Sequence, residues 1–398
     1  MRELAEAWRR DAAGLRATLA RRLGDLDLAE EALADVAAKA AATWPHDGVP
    51  DNPAGWLMTA AWHRALDILR RERTGREKLA RLAQEPAPSA TVPDDRLALV
   101  FACCHPALAE PLQVALTLNA VADLTAEEIG AAFLVPTATM AQRLVRAKHR
   151  LRREGVRFAA PEPEELPQRL NAVLAVVYAV FNEGYLTTST DRPQRRELAG
   201  EARDLAAELA ELMPGEAEVV GLSVLIEVHE ARSAQRFDRA GRLVLLEEQD
   251  RRGWDHGRIR EAERRLERVL RKGTPGPYQT QAAIAVLHAT AADVETTDWP
   301  QIRALHDIWY AQTGNPVVLL NRAVATWRAN SATVALEEVD ALADRLGAYR
   351  LFHATRGELL RAVGRDEESR AAVGRALALA TNSAERELLA RRLAGTGA

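Results

Sequence analysis

The sequence predicts an all-α protein, and three features carry that expectation. Alanine, leucine, arginine and glutamate dominate and are strong helix formers, while Phe (6) and Tyr (5) are few and β-branched runs are short. Apolar residues recur at helical spacing, as in Met140, Leu144 and Ala147. Glycine and proline gather in short stretches that divide long helix-compatible segments.

The 398 residues, 47% hydrophobic and 28% charged, suffice for two or three domains with buried cores and exclude a disordered tail. With 53 basic and 57 acidic side chains the net charge is -4, which excludes a uniformly basic nucleic-acid binder. Residues 1–158 nevertheless carry 22 basic and 21 acidic groups, against 31 and 36 in residues 159–398. Positive charge concentrates at 64–81 (seven basic, three acidic) and 143–157 (seven basic, one acidic). Such stretches suit phosphate-facing surfaces or solvated helix faces equally well.

In order along the chain, the first helical region covers roughly 2–44, broken near Gly24-Asp25. WPHDGVPDNP (44–53) is expected to be a loop because its glycine and three prolines oppose helix. Asn52 and Pro53 then form an N-cap and first-turn pair for a helix to about position 73. Residues 83–95 are a linker rich in proline and small residues, and helices resume across 96–153. A second, acidic linker spans 159–167. At least ten helical segments follow, with 232–253 reading as an extended loop or a strand-like excursion.

The sharpest local pattern is LTAEEIGAAFLVPTATMAQRLVRAKHRLRRE, 124–154. Thr125 and Glu128 have capping-box spacing, and Ile129, Ala132 and Phe133 can face a small core. A three-residue connection leads to a helix with Met140, Leu144 and Ala147 on its apolar stripe and Thr139, Gln142, Arg143, Arg146 and Lys148 outside it. This is the pattern of a helix-turn-helix, whose second helix enters the major groove, or else of a plain basic hairpin.

Longer strings extend the pattern. GDLDLAEEALADVAAKAAATWPHDGVPDNPAGWLMTAAWHRALDILRR (24–71), the segment 93–153 with CCHPAL and FLVPTATMAQRLVRAK, LNAVLAVVYAVFNEGY (170–185), and VLLEEQDRRGWD, GPYQTQAAIAVLHA and TDWPQIRALHD within 244–307 stand together in one chain. In these the chain resembles an extracytoplasmic-function RNA polymerase sigma factor of the sigma-70 family, in the subgroup with a long tetratricopeptide-like carboxy-terminal extension.

The resemblance implies a region 2-like helical bundle (1–82) that binds polymerase and the −10 element. After the linker 83–95 it implies a region 4-like helix-turn-helix (96–158). Beyond 159–167 it implies a helical extension (168–398). Glu30, Glu31, Asp35 and Lys39 fall where the family contacts the core enzyme. Trp62, His63, Arg64, Asp67, Arg70 and Arg71 fall where it engages −10 DNA. Thr137, Thr139, Gln142, Arg143, Arg146 and Lys148 fall where it reads the −35 duplex. Cations there suit phosphates, and aromatic or polar groups suit an unstacked base. The chain departs from the family in several places. Ala34-Asp35-Val36-Ala37 replaces a glutamine, acidic residue and phenylalanine; His63 stands for asparagine; Asn119 and Asp123 stand for arginine and glycine; Ala131-Ala132 replaces a more polar pair.

Within the extension, 315–346 reads as two antiparallel helices and 348–393 as a second pair plus a terminal helix. A period near 34 residues holds over 314–381 but not upstream. Stacked helix pairs offer a concave surface for a protein or peptide partner, and in this family the extension regulates or stabilises the sigma regions.

No catalytic constellation, metal site or cofactor is expected. Cys103, Cys104 and His105 are consecutive and lack the Cys-x2-Cys spacing, so buried thiols beside a turn are the favoured reading. Neither a dinucleotide fingerprint nor a phosphate loop occurs. With no secretory signal and no apolar run of membrane-spanning length, a cytoplasmic, non-enzymatic protein is expected, with bacterial core polymerase and promoter DNA as partners and no membrane. The other class of reading is a helical interaction or regulatory protein that keeps the sigma architecture without initiating transcription.

Overall fold

The structure, a computed structural model, describes residues 2–71, 82, 96–133, 135–159, 161–162, 164–186, 196–273 and 275–395. Among these the protein is all-α, as its composition predicts, with no strand beyond an isolated antiparallel bridge between Phe237 and Leu243. It divides into two compact units, Met1–Val180 and Phe181–Ala398. The linker expected at 83–95 lies outside the described residues.

The first unit opens with α1 (Arg2–Leu23), α2 (Leu26–Asp47) and α3 (Pro53–Arg71), which pack on one another as a three-helix bundle. Leu15, Leu19, Leu33, Leu57, Met58 and Trp62 fill its core. Gly24, at positive φ, ends α1, and the Asp25 side chain accepts from the Leu28 N–H to start α2. Asn52 likewise accepts from the Gly55 N–H ahead of Pro53.

The end of α2 differs from expectation: the helix runs to Asp47, through Trp44, Pro45 and His46, where a loop was expected. Pro45 lies in the last turn, so its missing N–H removes a single bond. Gly48 closes the turn by donating to the Trp44 carbonyl, and the buried Trp44 ring packs edge-on against Trp56 at 5.5 Å. Burial of the indole outweighs the lost bond.

Four further helices follow: α4 (Arg96–Cys103), α5 (Glu110–Ala120), α6 (Ala126–Phe133) and α7 (Thr137–Arg153). Helix α4 packs on α1 as well as α5, and α5 packs on α6 and α7. The helices of residues 2–71 and 96–153 therefore belong to one compact unit. The next helix, α8 (Leu166–Tyr185), begins inside the stretch expected as the second linker, and the division between units falls within it.

The second unit stacks its helices largely in chain order. Helix α9 (Arg196–Leu212) packs on α10 (Ala217–Arg232), and α10 on both α11 (His256–Leu270) and α12 (Pro277–Thr290). Helices α12, α13 (Trp299–Thr313), α14 (Pro316–Ala329) and α15 (Ala332–Asp340) continue pairwise, followed by a short α16 (Ala343–Leu346). The array ends with α17 (Arg350–Ala362), α18 (Asp366–Leu379) and α19 (Ser383–Gly395). Steps of 34 residues separate the starts of α14 and α17 (Pro316, Arg350) and of α15 and α18 (Ala332, Asp366), matching the sequence period. Leu320, Leu336, Val339, Phe352, Leu359 and Leu360 form a shared core between these pairs. Gly357 permits the close contact of α17 with α18, since a Cβ there would lie 2.7 Å from Val373 Cγ2.

Residues 233–255 form a loop of three 3₁₀ turns and the one bridge, which resolves the uncertain segment as irregular backbone. Asp250 and Asp255 are caps within it, accepting from the Arg252 and Arg258 N–H groups. No described helix is long and apolar enough to cross a membrane.

Candidate functional site

Helices α2 and α3 enclose a groove of about 790 Å³ lined by Asp35, Lys39, Trp56, His63, Arg64 and Asp67, among others. Period 3.6 creates it. Leu57, Ala61, Ala65 and Leu69 turn into the core, which leaves His63, Asp67, Arg70 and Arg71 exposed on the opposite face of α3. The groove brings together residues that the sequence assigns to two different partners. The Arg64 Nε and Nη2 atoms hold Asp35 Oδ2 at 2.6 and 2.5 Å, and Arg70 pairs with Asp67 at 2.9 Å.

Two of the expected positions are not free surface. Trp62 is 1% exposed, with the Arg22 guanidinium 5.9 Å from its ring centre, so it supports the bundle and cannot meet a base in this arrangement. Glu30 is half-buried beside α7, whereas Glu31, Asp35 and Lys39 are exposed.

Helices α6 and α7, joined by a tight turn, have the local capping and packing that their sequence predicts. Thr125 N donates to Glu128 Oε2 at 2.9 Å and Glu128 N donates to Thr125 Oγ1 at 3.2 Å, a complete capping box at the start of α6. Val135 N donates to the Gly130 carbonyl, and a Cβ on Gly130 would lie 2.7 Å from the Val135 oxygen, so glycine admits this tight turn. Ile129 is buried; the side chains of Ala132 and Phe133 lie outside the described residues. In α7, Met140, Leu144, Ala147 and Leu151 are buried, while Thr137, Gln142, Arg143 and Arg146 are exposed and Thr139 is half-buried.

Lys148 belongs to a different environment. Its ammonium lies 2.7 Å from Glu30 and 3.2 Å from Asp27, and Arg152 reaches Asp25 at 3.3 Å. Burial alone lowers the Lys148 pKa, but the charge and hydrogen bond of Glu30, then of Asp27, outweigh it and the pKa is raised. Lys148 and Glu30, expected on separate binding faces, thus occupy each other.

Sequence reasoning passed over Arg16. Buried on α1, it donates to the Ala120 carbonyl at 2.5 Å and to Asp123 Oδ1 at 2.6 Å, while Trp8 Nε1 donates to the other Asp123 oxygen at 3.0 Å. Asp123 has φ +54°, the one positive value among the described non-glycine residues. Aspartate tolerates the left-handed conformation and adds a carboxylate that ties the α5–α6 turn to α1. Asn119 donates to the Leu124 carbonyl across the same turn at 2.9 Å.

The cysteines follow the favoured reading. Both are free and buried; burial pushes the Cys104 thiol up to about 12 and holds Cys103 well above its usual value. Thiolate is the reactive form, so neither thiol should react with iodoacetamide at pH 8 in the folded chain. Both should react once urea unfolds it. Mass-spectrometric alkylation checks this, and labelling at the unfolded rate under native conditions would contradict it.

Known proteins place these features in a wider group. Residues 169–270 match a family of unknown function, DUF6596, which takes in the FNEGY and VLLEEQDRRGWD strings. An uncharacterized protein of Rhizobium meliloti (strain 1021), R00370, is 40% identical over 378 residues, covering 92% of this chain and 89% of its own. No solved structure matches the chain. At that identity and coverage, the chain belongs to the same family as the rhizobial protein.

Proposed function

We propose that the protein is a cytoplasmic RNA polymerase sigma factor that directs promoter-specific initiation, with its helical extension regulating or stabilising the sigma-like regions. The observation that carries this reading is α7. A tight turn and a capped α6 precede a helix whose buried stripe leaves Gln142, Arg143 and Arg146 together on an open face. Guanidinium groups there suit guanine or phosphate, and the glutamine amide suits adenine. The groove beside α3 supports the second contact: His63 and the half-buried Trp56 line it and offer a donor and an aromatic face, and Arg70 and Arg71 are exposed farther along the same helix.

Purified full-length protein combined with bacterial core polymerase and a promoter library tests the proposal. The expected result is initiation from a defined subset of sequences. Folded protein that elicits none across a library of full −35 and −10 coverage would reject it. The pairs of Lys148 with Glu30 and Asp27 join the two expected binding faces, so this assay should include Glu30→Gln, for which increased promoter binding is expected.

A further inference from the structure

The second unit contains a buried cationic centre that none of the proposed promoter or polymerase contacts uses. Arg232, at the end of α10, is 5% exposed. Its Nη2 meets the His229 Nδ1 at 3.0 Å, but its Nε and Nη1 have no hydrogen-bond partner and no water access. It forms no ion pair with an aspartate or glutamate among the described residues; burial acts on it most strongly, followed by Tyr185, which also offers it a side-chain hydrogen bond, and by Arg236 and Arg251.

Other unmatched groups converge on it. The Trp254 ring, 4% exposed, lies 5.7 Å from the Arg232 guanidinium carbon, and its Nε1–H is unpartnered. Arg236 sits 3.9 Å over the Tyr185 ring with its Nε unpartnered, and Tyr185 in turn meets the His229 ring edge at 5.2 Å. The His288 Nδ1 is also buried without a partner. Arg251, which completes the cluster 5.1 Å from the Trp254 ring, differs: it is braced by the carbonyls of His288 and Ala291 at 3.0 and 2.8 Å.

Native proteins seldom leave buried donors unpaired, and an uncompensated buried charge is among the costliest arrangements available. Here several donors, three of them on the guanidinium groups of Arg232 and Arg236, share one locality. Burial, then the neighbouring arginines, hold both imidazoles neutral: His229 is lowered well below its ordinary value and His288 to about 3. Positive potential is therefore in excess, and among the described residues no aspartate or glutamate forms an ion pair with Arg232.

We infer that the second unit binds a phosphate-type oxyanion against Arg232, Arg236 and the Trp254 indole N–H. Donors on separate, non-coplanar side chains suit a tetrahedral anion with acceptors in several directions better than a planar carboxylate. The strings VLLEEQDRRGWD and FNEGY, which supply Trp254 and Tyr185, then have a chemical reason to lie in the same matched domain.

Thermal unfolding of the full chain in phosphate-free buffer tests this, with inorganic phosphate, glycerol phosphate or acetate added at matched ionic strength. Ligand that binds only the folded chain raises its melting temperature. Phosphate or its ester is expected to raise it by several degrees and acetate to leave it unchanged. A larger shift with the ester identifies a phosphorylated small molecule, and equal shifts identify the free anion. Arg232→Met should abolish the shift yet melt no lower than the parent chain without phosphate, because it removes an unpaired buried charge. Should Arg232→Met fail to fold, Arg236→Gln decides by calorimetric titration, with affinity expected to fall at least ten-fold. Exposed Arg264→Gln should keep the full response. No shift with phosphate or its ester, an equal shift with acetate, or a shift unaltered in the Arg232 and Arg236 variants would overturn the inference.

Discussion

Replacing Asp123 by alanine is expected to destabilise the first unit by about 2–4 kcal/mol, because it strips a buried guanidinium of its carboxylate. Arg16 would keep the Ala120 carbonyl and a distant Glu30 at 3.9 Å, while Trp8 would lose its acceptor. The half-exposed Asp123 side chain holds the loss toward the lower part of that range. Alanine also keeps the left-handed penalty at φ +54°, whereas Asp123→Gly relieves it and should be about 1 kcal/mol less damaging. Asp123→Asn, which keeps an acceptor without the charge, should fall between alanine and the parent chain. Calorimetric unfolding of the three variants reads the order directly. Equal losses for alanine and glycine would remove backbone strain from the account, and no loss in any variant would remove the tie itself.

The second large effect concerns DNA. Exchanging both Arg143 and Arg146 for alanine should weaken binding to a −35 duplex by roughly 100-fold or more, since each good guanidinium contact contributes about 1–3 kcal/mol. Both side chains are exposed and the helix is anchored by Met140, Leu144, Ala147 and Leu151, so the fold should survive. If the lost contacts are to phosphate, the salt dependence of binding should become shallower by about one unit of slope per contact. Fluorescence anisotropy at several salt concentrations separates base from phosphate roles. Unchanged affinity in the double variant would reject this face of α7, and a matched Gln142→Ala variant then tests whether the amide alone reads sequence.

Most of the helical order was legible before any coordinates. The capping box of Thr125 and Glu128, the buried stripe of α7 and the paired helices after residue 315 all follow from local rules of spacing and end-capping. Those rules misplaced the end of α2. They register Pro45 as a breaker but cannot register that Trp44 finds a partner in Trp56, twelve residues later in another helix. The candidate site was legible as residue types and illegible as partnerships. Trp62 has the chemistry of a base-stacking residue, and only its place on the inward face of α3 shows that it fills the core. Lys148 reads as one more cation on a basic helix until Glu30 and Asp27 are seen beside it.

By itself the sequence determined the helical class, most of the helices and the pattern of exposed cations on α7, because propensity, capping and period act over a few residues. Tertiary structure alone decided which charges are spoken for. It paired Arg16 with Asp123 across 107 positions and Lys148 with Glu30 across 118, and it left Arg232 buried without a paired carboxylate among the described residues. The reason lies in the range of the forces. Helix formation is settled between neighbours, whereas the fate of a charge depends on how far burial takes it from water and on which distant groups the fold brings within reach.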